Sequence, residues 1–183
     1  TENKPIFYMV YADWCPHCKN IKATTLKDSE VISFMNANYV SAGLDFEKAG
    51  SESFKSKYNI KTFPTFLVLD SNGIELARFT GELKKEKFLS EVKIALNPKQ
   101  QLPFLKAEFE KDKTNGVNLM RYLVALKKGN DRKELNPIAH DYFEGVKDDK
   151  MVNEINWKIF TNGVSDIESR EYKFVITNQR AFA

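Results

Sequence analysis

The 183-residue sequence predicts an α/β domain, with a central mixed sheet flanked by helices, followed by an all-α helical appendage. Two observations support this fold class. Up to about residue 98, apolar runs of strand length alternate with stretches of helical periodicity. Beyond Asn97-Pro98, strand alternation almost disappears and apolar residues recur at helical spacing. We therefore predict a first domain at residues 1–98 and a helical domain at 99–183.

Composition narrows the class of protein. Hydrophobic residues make up 42% of the chain and aromatic residues 13%, which is enough for a folded core. The net charge of +3 is too small to argue for binding to nucleic acid or to an anionic membrane. No apolar stretch approaches the roughly 20 residues that span a bilayer.

The first domain begins with a buried strand. The apolar run PIFYMVY, residues 5–11, predicts this strand, and a helix begins at the cysteines with Pro16 in its first turn. Ser29 is the predicted N-cap of a second helix, which ends near Asn38. The remaining elements are a strand at 39–45, a helix at 51–60, a strand at 63–70, a hairpin turn at Ser71-Asn72-Gly73, a strand at 74–80 and a helix at 84–96.

This order of elements predicts the sheet topology. A strand, a crossover helix and a second strand give a parallel pair, because the helix carries the chain back to the end of the sheet where the first strand began. The later hairpin gives an antiparallel pair that a last helix closes.

Five helices are predicted in the appendage. Four of them are marked by residues at helical spacing: Phe104, Leu105 and Phe109; Met120, Leu123, Val124 and Lys127; Ile138, Tyr142, Phe143 and Val146, with Pro137 near the start; and Met151, Ile155, Ile159 and Phe160. The fifth is predicted at residues 166–182. Since the helical pattern runs to Ala183, a longer array truncated at this point is one interpretation.

The segment YADWCPHCKN, residues 11–20, contains both cysteines of the chain. At the start of a helix, Cys15 is predicted at the exposed N-terminal turn and Cys18 one turn further along, facing inward. Free N–H groups and the helix dipole stabilise an anion there, so the pKa of the outer thiol can fall from about 8.5 to about 3.5–7. We therefore predict that Cys15 is the nucleophile in disulfide exchange and that Cys18 resolves the mixed disulfide.

Pro16 and His17 separate the cysteines and are predicted to tune their redox potential. A protonated His17 places positive charge beside the thiolate, which favours the reduced form and makes the couple more oxidising. Asp13 acts in the opposite direction if it lies close enough. The alternative for His17 is an exposed helix position without a redox role.

Other roles for the pair are a metal site or a pair of inert buried thiols. Structural zinc needs about four Cys or His ligands, and the sequence offers only His17 and His140 besides the cysteines. Covalent haem requires a histidine at position 19, where the chain has Lys19. We therefore expect no metal and no cofactor.

The segments YADWCPHCK, TFPTFLVLD and GIELARFTGEL together resemble the thioredoxin superfamily over residues 1 to about 98. Within it, they are most similar to bacterial thioredoxin-like domains such as the soluble C-terminal domain of the membrane disulfide reductase DsbD. The Cys-Pro-His-Cys motif itself is like that of the oxidant DsbA.

The resemblance implies roles for further residues. Trp14 would flank the cysteines and contribute to redox tuning, with core filling as the alternative. Pro64 matches a cis-proline loop that, with Phe63 and Thr65, would bind an extended substrate segment, and Gly81 matches the glycine that borders the same groove. As a turn residue, Gly81 also has a purely structural interpretation.

Two positions depart from the thioredoxin pattern. Met9 stands where thioredoxins have a buried aspartate that helps to move the proton of the resolving thiol. Ser41 stands where the accompanying lysine would align. The resemblance therefore leaves open which group replaces the aspartate: a bound water, or an acid from elsewhere.

The sequence thus predicts a thiol–disulfide oxidoreductase that acts on protein thiols and disulfides, with an upstream redox partner as a further candidate. Its histidine predicts a couple more oxidising than the about −270 mV of thioredoxin. The alternative is a protein-binding module whose helical half recruits a partner and whose cysteines are a minor regulatory device.

The compartment has two interpretations. The resemblance implies a bacterial, exported or periplasmic protein, whereas the sparing use of cysteine fits the cytoplasm equally well. The chain begins at Thr1 rather than at methionine, which indicates trimming by design or removal of a targeting segment.

Overall fold

A mixed four-stranded sheet organises the first of two units, Thr1–Gln101, and its strands lie in the order β2-β1-β3-β4. The computed structural model describes residues 4–129 and 132–182. The strands are β1 (Ile6–Tyr11), β2 (Val40–Asp45), β3 (Thr65–Leu69) and β4 (Glu75–Thr80). β1 pairs in parallel with β2, and β3 pairs antiparallel with both β1 and β4. The parallel pair and the antiparallel hairpin are both confirmed.

The helices of this unit are α1 (Pro16–Ala23), α2 (Ser29–Asn38), α3 (Glu52–Tyr58) and α4 (Lys85–Ala95). The predicted N-cap of α2 was wrong by one residue. Asp28, not Ser29, is the cap, and its Oδ1 accepts the N–H groups of Glu30 at 2.9 Å and Val31 at 3.3 Å. A carboxylate offers the free N–H groups a charged acceptor and also complements the helix dipole.

β3 is shorter than predicted, because its first residue is Thr65 rather than Phe63. Pro64 has no N–H to donate to a neighbouring strand, and it belongs to the loop that precedes β3. At the other end of β3, the Oδ1 of Asp70 accepts the N–H groups of Asn72 and Ile74 at 2.9 and 2.8 Å, which closes the predicted hairpin turn.

Four phenylalanine rings form the centre of the first core. Phe88 of α4 is fully buried and meets the rings of Phe7, Phe66 and Phe79 edge-on, with centroids 5.6–5.9 Å apart. Such edge-to-face contacts add to the free energy gained by burying the rings. Both cysteines belong to the same buried cluster, so this core also supports the start of α1.

The second unit, Leu102–Ala183, consists of helices, and the boundary falls after Gln101 instead of after Pro98 as predicted. Its helices are α5 (Leu102–Lys111), α6 (Gly116–Lys127), α7 (Arg132–Glu144), α8 (Asp148–Met151), α9 (Glu154–Gly163) and α10 (Arg170–Thr177). Within the described ranges, no helix is both long and apolar enough to cross a membrane.

Three predictions for this unit were wrong in detail. The predicted fourth helix is divided into α8 and α9, because Val152 and Asn153 are extended and Asn153 caps α9 through the N–H of Asn156 at 2.8 Å. The last helix begins at Arg170 instead of residue 166. Pro137 lies inside α7 and not near its start.

Gly163 allows α9 to approach its neighbours closely. A Cβ added there would lie 2.7 Å from the Cβ of Ala139 and 3.1 Å from a methyl group of Leu123. We therefore expect Gly163→Ala to destabilise the helical unit by about 1–2 kcal/mol, since an overpacking cost of about 1–3 kcal/mol exceeds the helix propensity that alanine adds. Urea denaturation followed by Trp157 fluorescence, in a Trp14→Phe background, measures this change.

Gly145→Ala is the matched control. Its added Cβ would make only an ordinary contact, 3.6 Å from the carbonyl oxygen of Tyr142. We expect a change within about 0.5 kcal/mol. Equal destabilisation by the two alanines would contradict the role assigned to Gly163.

Candidate active site

The two cysteines form a disulfide at the start of α1, with their Cα atoms 5.3 Å apart. Cys15 is the N-cap, and its Sγ accepts a hydrogen bond from the N–H of Cys18 at 3.2 Å. Pro16 occupies the first helical position. Proline is tolerated there because an N–H at that position has no hydrogen-bond partner within the helix. The sulfur of Cys15 therefore lies at the positive end of the helix dipole and accepts a backbone N–H of the first turn.

The prediction that Cys15 is exposed was wrong. Cys15 is only 3% exposed and Cys18 only 1%. Both lie in the phenylalanine core, and the half-buried Phe63 packs against that cluster. The oxidised pair is therefore almost completely buried, whereas Trp14 and His17, which flank Cys15, are exposed.

An aromatic wall, which we define as Trp14, Phe46 and Phe63, lies beside the pair. Phe63 contacts both other rings edge-on, with centroids 5.9 Å from Trp14 and 4.6 Å from Phe46. The indole N–H of Trp14 donates to Oε1 of Glu47 at 3.0 Å. Because Trp14 is 63% exposed, it does not fill the core, and the wall presents apolar surface to solvent next to the disulfide.

The other residues that the resemblance singled out lie at the start of β3 and just after β4. The Phe63–Pro64 peptide bond is cis, as the resemblance implied. Thr65 is buried, and its hydroxyl donates to the carbonyl oxygen of Thr62 at 2.7 Å. Gly81 has a φ of +90°, which favours glycine, and its N–H donates to the carbonyl oxygen of Pro64 at 2.9 Å. The sheet thus brings the loops at residues 62–65 and 81–83 together.

His17 lies in the first turn of α1 with 67% of its side chain exposed. Its Nδ1 is 2.8 Å from Oε2 of Glu82, and Asn20 donates to the other oxygen of the same carboxylate. Hydrogen bonds from His17 and Asn20 hold the pKa of Glu82 below its ordinary value, so this carboxylate is ionised at neutral pH.

Met9 is buried in β1, where it is paired with Gly43 and Phe66. It lines a cavity of about 320 Å³ together with Lys22. Burial lowers the pKa of Lys22, and its Nζ lies 2.8 Å from the centre of the Tyr11 ring. The position that would hold a buried aspartate in thioredoxin therefore faces an apolar cavity with a partly buried amine at its edge.

The residues considered as zinc ligands do not form a cluster. His17 pairs with Glu82 in the first unit. His140 belongs to the helical unit, where its Nδ1 lies 3.0 Å from Oε1 of Glu171. Across residues 4–129 and 132–182, no group of three or more His, Cys, Asp or Glu side chains is arranged so that it could hold a metal ion.

The sequence did not point to four residues that lie at the site: Asn20, Phe46, Glu47 and Glu82. Glu82 follows Gly81 directly, and this adjacency was the one available signal for it. Which side chain of α1 it meets depends on how the strands are paired, and no local pattern records that.

Comparisons with known proteins fit this geometry. Residues 1–95 match the thioredoxin-like domain family. The thiol:disulfide interchange protein DsbD of Yersinia pestis is 33% identical over 91 residues, which cover 48% of this chain and 15% of that protein. A protein disulfide-isomerase of Ricinus communis is 28% identical over 71 residues, which cover 39% of this chain and 14% of that protein. The chain thus spans only a small part of the length of these relatives.

Solved structures are similar over about half of the chain. The C-terminal domain of Neisseria meningitidis DsbD in the oxidised form is 26% identical with a TM-score of 0.42, covering 49% of this chain and 78% of that domain. The DsbH oxidoreductase is 25% identical with a TM-score of 0.45, covering 52% of this chain and 74% of that chain.

Proposed function

The chain belongs to the thioredoxin-like family of disulfide oxidoreductases, and we propose that it exchanges disulfides with protein substrates through Cys15 and Cys18. One observation carries this proposal. The two sulfurs are bonded at the N-terminus of a helix, and a backbone N–H donates to the sulfur of Cys15. A thiolate formed at Cys15 keeps that donor and gains from the helix dipole, so Cys15 is the better nucleophile and the better leaving group.

The exchange proceeds in two steps. A substrate thiolate attacks the sulfur of Cys15, the Cys15–Cys18 bond breaks, and a mixed disulfide forms while Cys18 leaves as a thiolate and takes up a proton. The second substrate thiolate then attacks the substrate sulfur of the mixed disulfide and releases Cys15. The substrate loses two electrons and two protons, and the cysteine pair gains them. The reverse sequence reduces a substrate disulfide, with Cys15 as attacking thiolate and Cys18 as resolving thiol.

The surroundings of the pair suit an extended protein segment. Phe63 and Pro64 lie in a loop whose backbone groups can pair with a substrate strand. The hydroxyl of Thr65 donates to the carbonyl oxygen of Thr62 in this loop, and the N–H of Gly81 donates to the carbonyl oxygen of Pro64 at its border. The exposed ring of Trp14 offers apolar contact beside Cys15. We assign substrate binding to the loop and its border, and redox tuning to Pro16, His17 and Trp14.

The compartment and the partners follow from the same chemistry. Disulfide exchange with protein substrates is common in exported compartments, so we propose a periplasmic or otherwise exported location. A second redox protein that reoxidises or rereduces the pair completes the cycle, because each turnover leaves Cys15 and Cys18 in the opposite oxidation state.

Insulin reduction by dithiothreitol tests the proposal. We expect the chain to accelerate precipitation of the insulin B chain, and a variant with both Cys15→Ser and Cys18→Ser to give the rate of dithiothreitol alone. Reoxidation of a dithiol peptide, measured with the same two proteins, covers the opposite direction. Equal rates for the chain and the double variant in both assays would reject the function.

A further inference from the structure

Glu82 has no role in the exchange steps above, yet its carboxylate contacts two side chains of α1. Its carboxylate accepts hydrogen bonds from His17 through one oxygen and from Asn20 through the other. His17 and Asn20 lie three positions apart on α1, so they share one face of the helix. The carboxylate therefore spans the first turns of the helix that begins at Cys15.

The sheet determines where Glu82 lies. Thr80 is in register with Thr65 at the end of the β3–β4 pair. Gly81 then turns the chain with its positive φ while its N–H bonds to Pro64. After Glu82, the carbonyl oxygen of Leu83 accepts the hydroxyl of Thr25 at 2.8 Å. Contacts on both sides thus hold Glu82 in place.

The contact also determines which nitrogen of His17 carries a proton. An ionised carboxylate can only accept hydrogen bonds, so the Nδ1 atom that lies 2.8 Å from Glu82 must be the donor. A neutral His17 then has its single N–H committed to Glu82, and its Nε2 is an acceptor. A protonated His17 is paired at close range with a negative charge.

We propose that Glu82 is a positioning residue that sets the redox potential of the cysteine pair by withdrawing His17 from Cys15. This inference rests on the proposed function and refines it. In the reduced protein, the thiolate of Cys15 would be stabilised by an N–H donor or a positive charge on His17. Glu82 takes the single N–H of a neutral His17 and offsets the charge of a protonated one, so the thiolate gains less and the disulfide is less oxidising than the Cys-Pro-His-Cys sequence predicts.

Equilibrium with glutathione measures this effect. Oxidised protein and two glutathione molecules give reduced protein and one glutathione disulfide, a transfer of two electrons and two protons. We expect Glu82→Ala to raise this equilibrium constant about tenfold, which corresponds to a potential about 30 mV higher. Glu82→Gln removes the charge but keeps an acceptor, so its shift should be smaller. Glu86→Ala, at an exposed position in the first turn of α4, is the matched control and should stay within twofold.

A His17→Ala background shows whether Glu82 acts through His17. There, Glu82→Ala should change the constant by less than twofold, because no imidazole remains to be released. The proposal is overturned if Glu82→Ala stays within twofold of the parent protein, lowers the constant, or keeps its full shift without His17. These outcomes leave disulfide exchange itself intact. A pair that fails to equilibrate with glutathione in every variant would instead overturn the proposed function, and this inference with it.

Discussion

Replacing Cys15 with serine is expected to abolish disulfide exchange, so that insulin is reduced only at the rate of dithiothreitol alone. A serine hydroxyl is a far weaker nucleophile than a thiolate and cannot form a mixed disulfide with the substrate. The helix end that donates an N–H to Cys15 would then stabilise no reactive anion. The insulin assay measures this loss.

Cys18→Ser is the matched variant, and its expected result is different in kind. Cys15 still attacks the substrate disulfide, but no second thiol resolves the intermediate, so substrate stays bound through a mixed disulfide. Non-reducing electrophoresis should show this adduct for Cys18→Ser and not for Cys15→Ser. The reverse pattern would show that the roles of the two cysteines are exchanged.

The second large effect is on stability. Phe88→Ala is expected to reduce the free energy of unfolding of the first unit by about 3–5 kcal/mol, because the fully buried ring is lost together with its contacts to Phe7, Phe66 and Phe79. Urea denaturation followed by Trp14 fluorescence, in a Trp157→Phe background, measures the change. Each unit has one tryptophan, so each transition can be followed separately.

Ile94→Ala is the control for this substitution. Ile94 lies on the same helix and is 38% exposed, so the loss of its side chain leaves a smaller cavity. A change below about 1 kcal/mol is expected. If both variants lost the same free energy, the phenylalanine cluster would not be the centre of this core.

Much of the fold could be predicted because its signals are local. The apolar run at 5–11 and the turn signal Ser71-Asn72-Gly73 between two strand-like segments predict β1 and the hairpin without reference to distant residues. The errors arose where one residue decides an element boundary. Asp28 outcompetes Ser29 as a cap, and an extended Val152-Asn153 pair divides a pattern whose apolar spacing is continuous.

The site was predictable as far as chain neighbours define it. Cys15, His17 and Cys18 are close in sequence, and their placement at a helix end follows from the motif and Pro16. The contact between His17 and Glu82 joins residues 65 positions apart and depends on strand pairing. Cys15 is buried within a core cluster whose other members come from distant strands and helices, so its burial also depends on the tertiary fold.

The disulfide also bears on the thermodynamics of the whole domain. It closes a ring of only four residues. If a disulfide acts by lowering the entropy of the unfolded chain, a ring of this size stabilises the fold by about 2 kcal/mol, against about 4.7 kcal/mol for a hundred-residue ring. Reducing it therefore costs the folded state less free energy than reducing a disulfide between distant parts of the chain would, which suits a bond that is repeatedly made and broken.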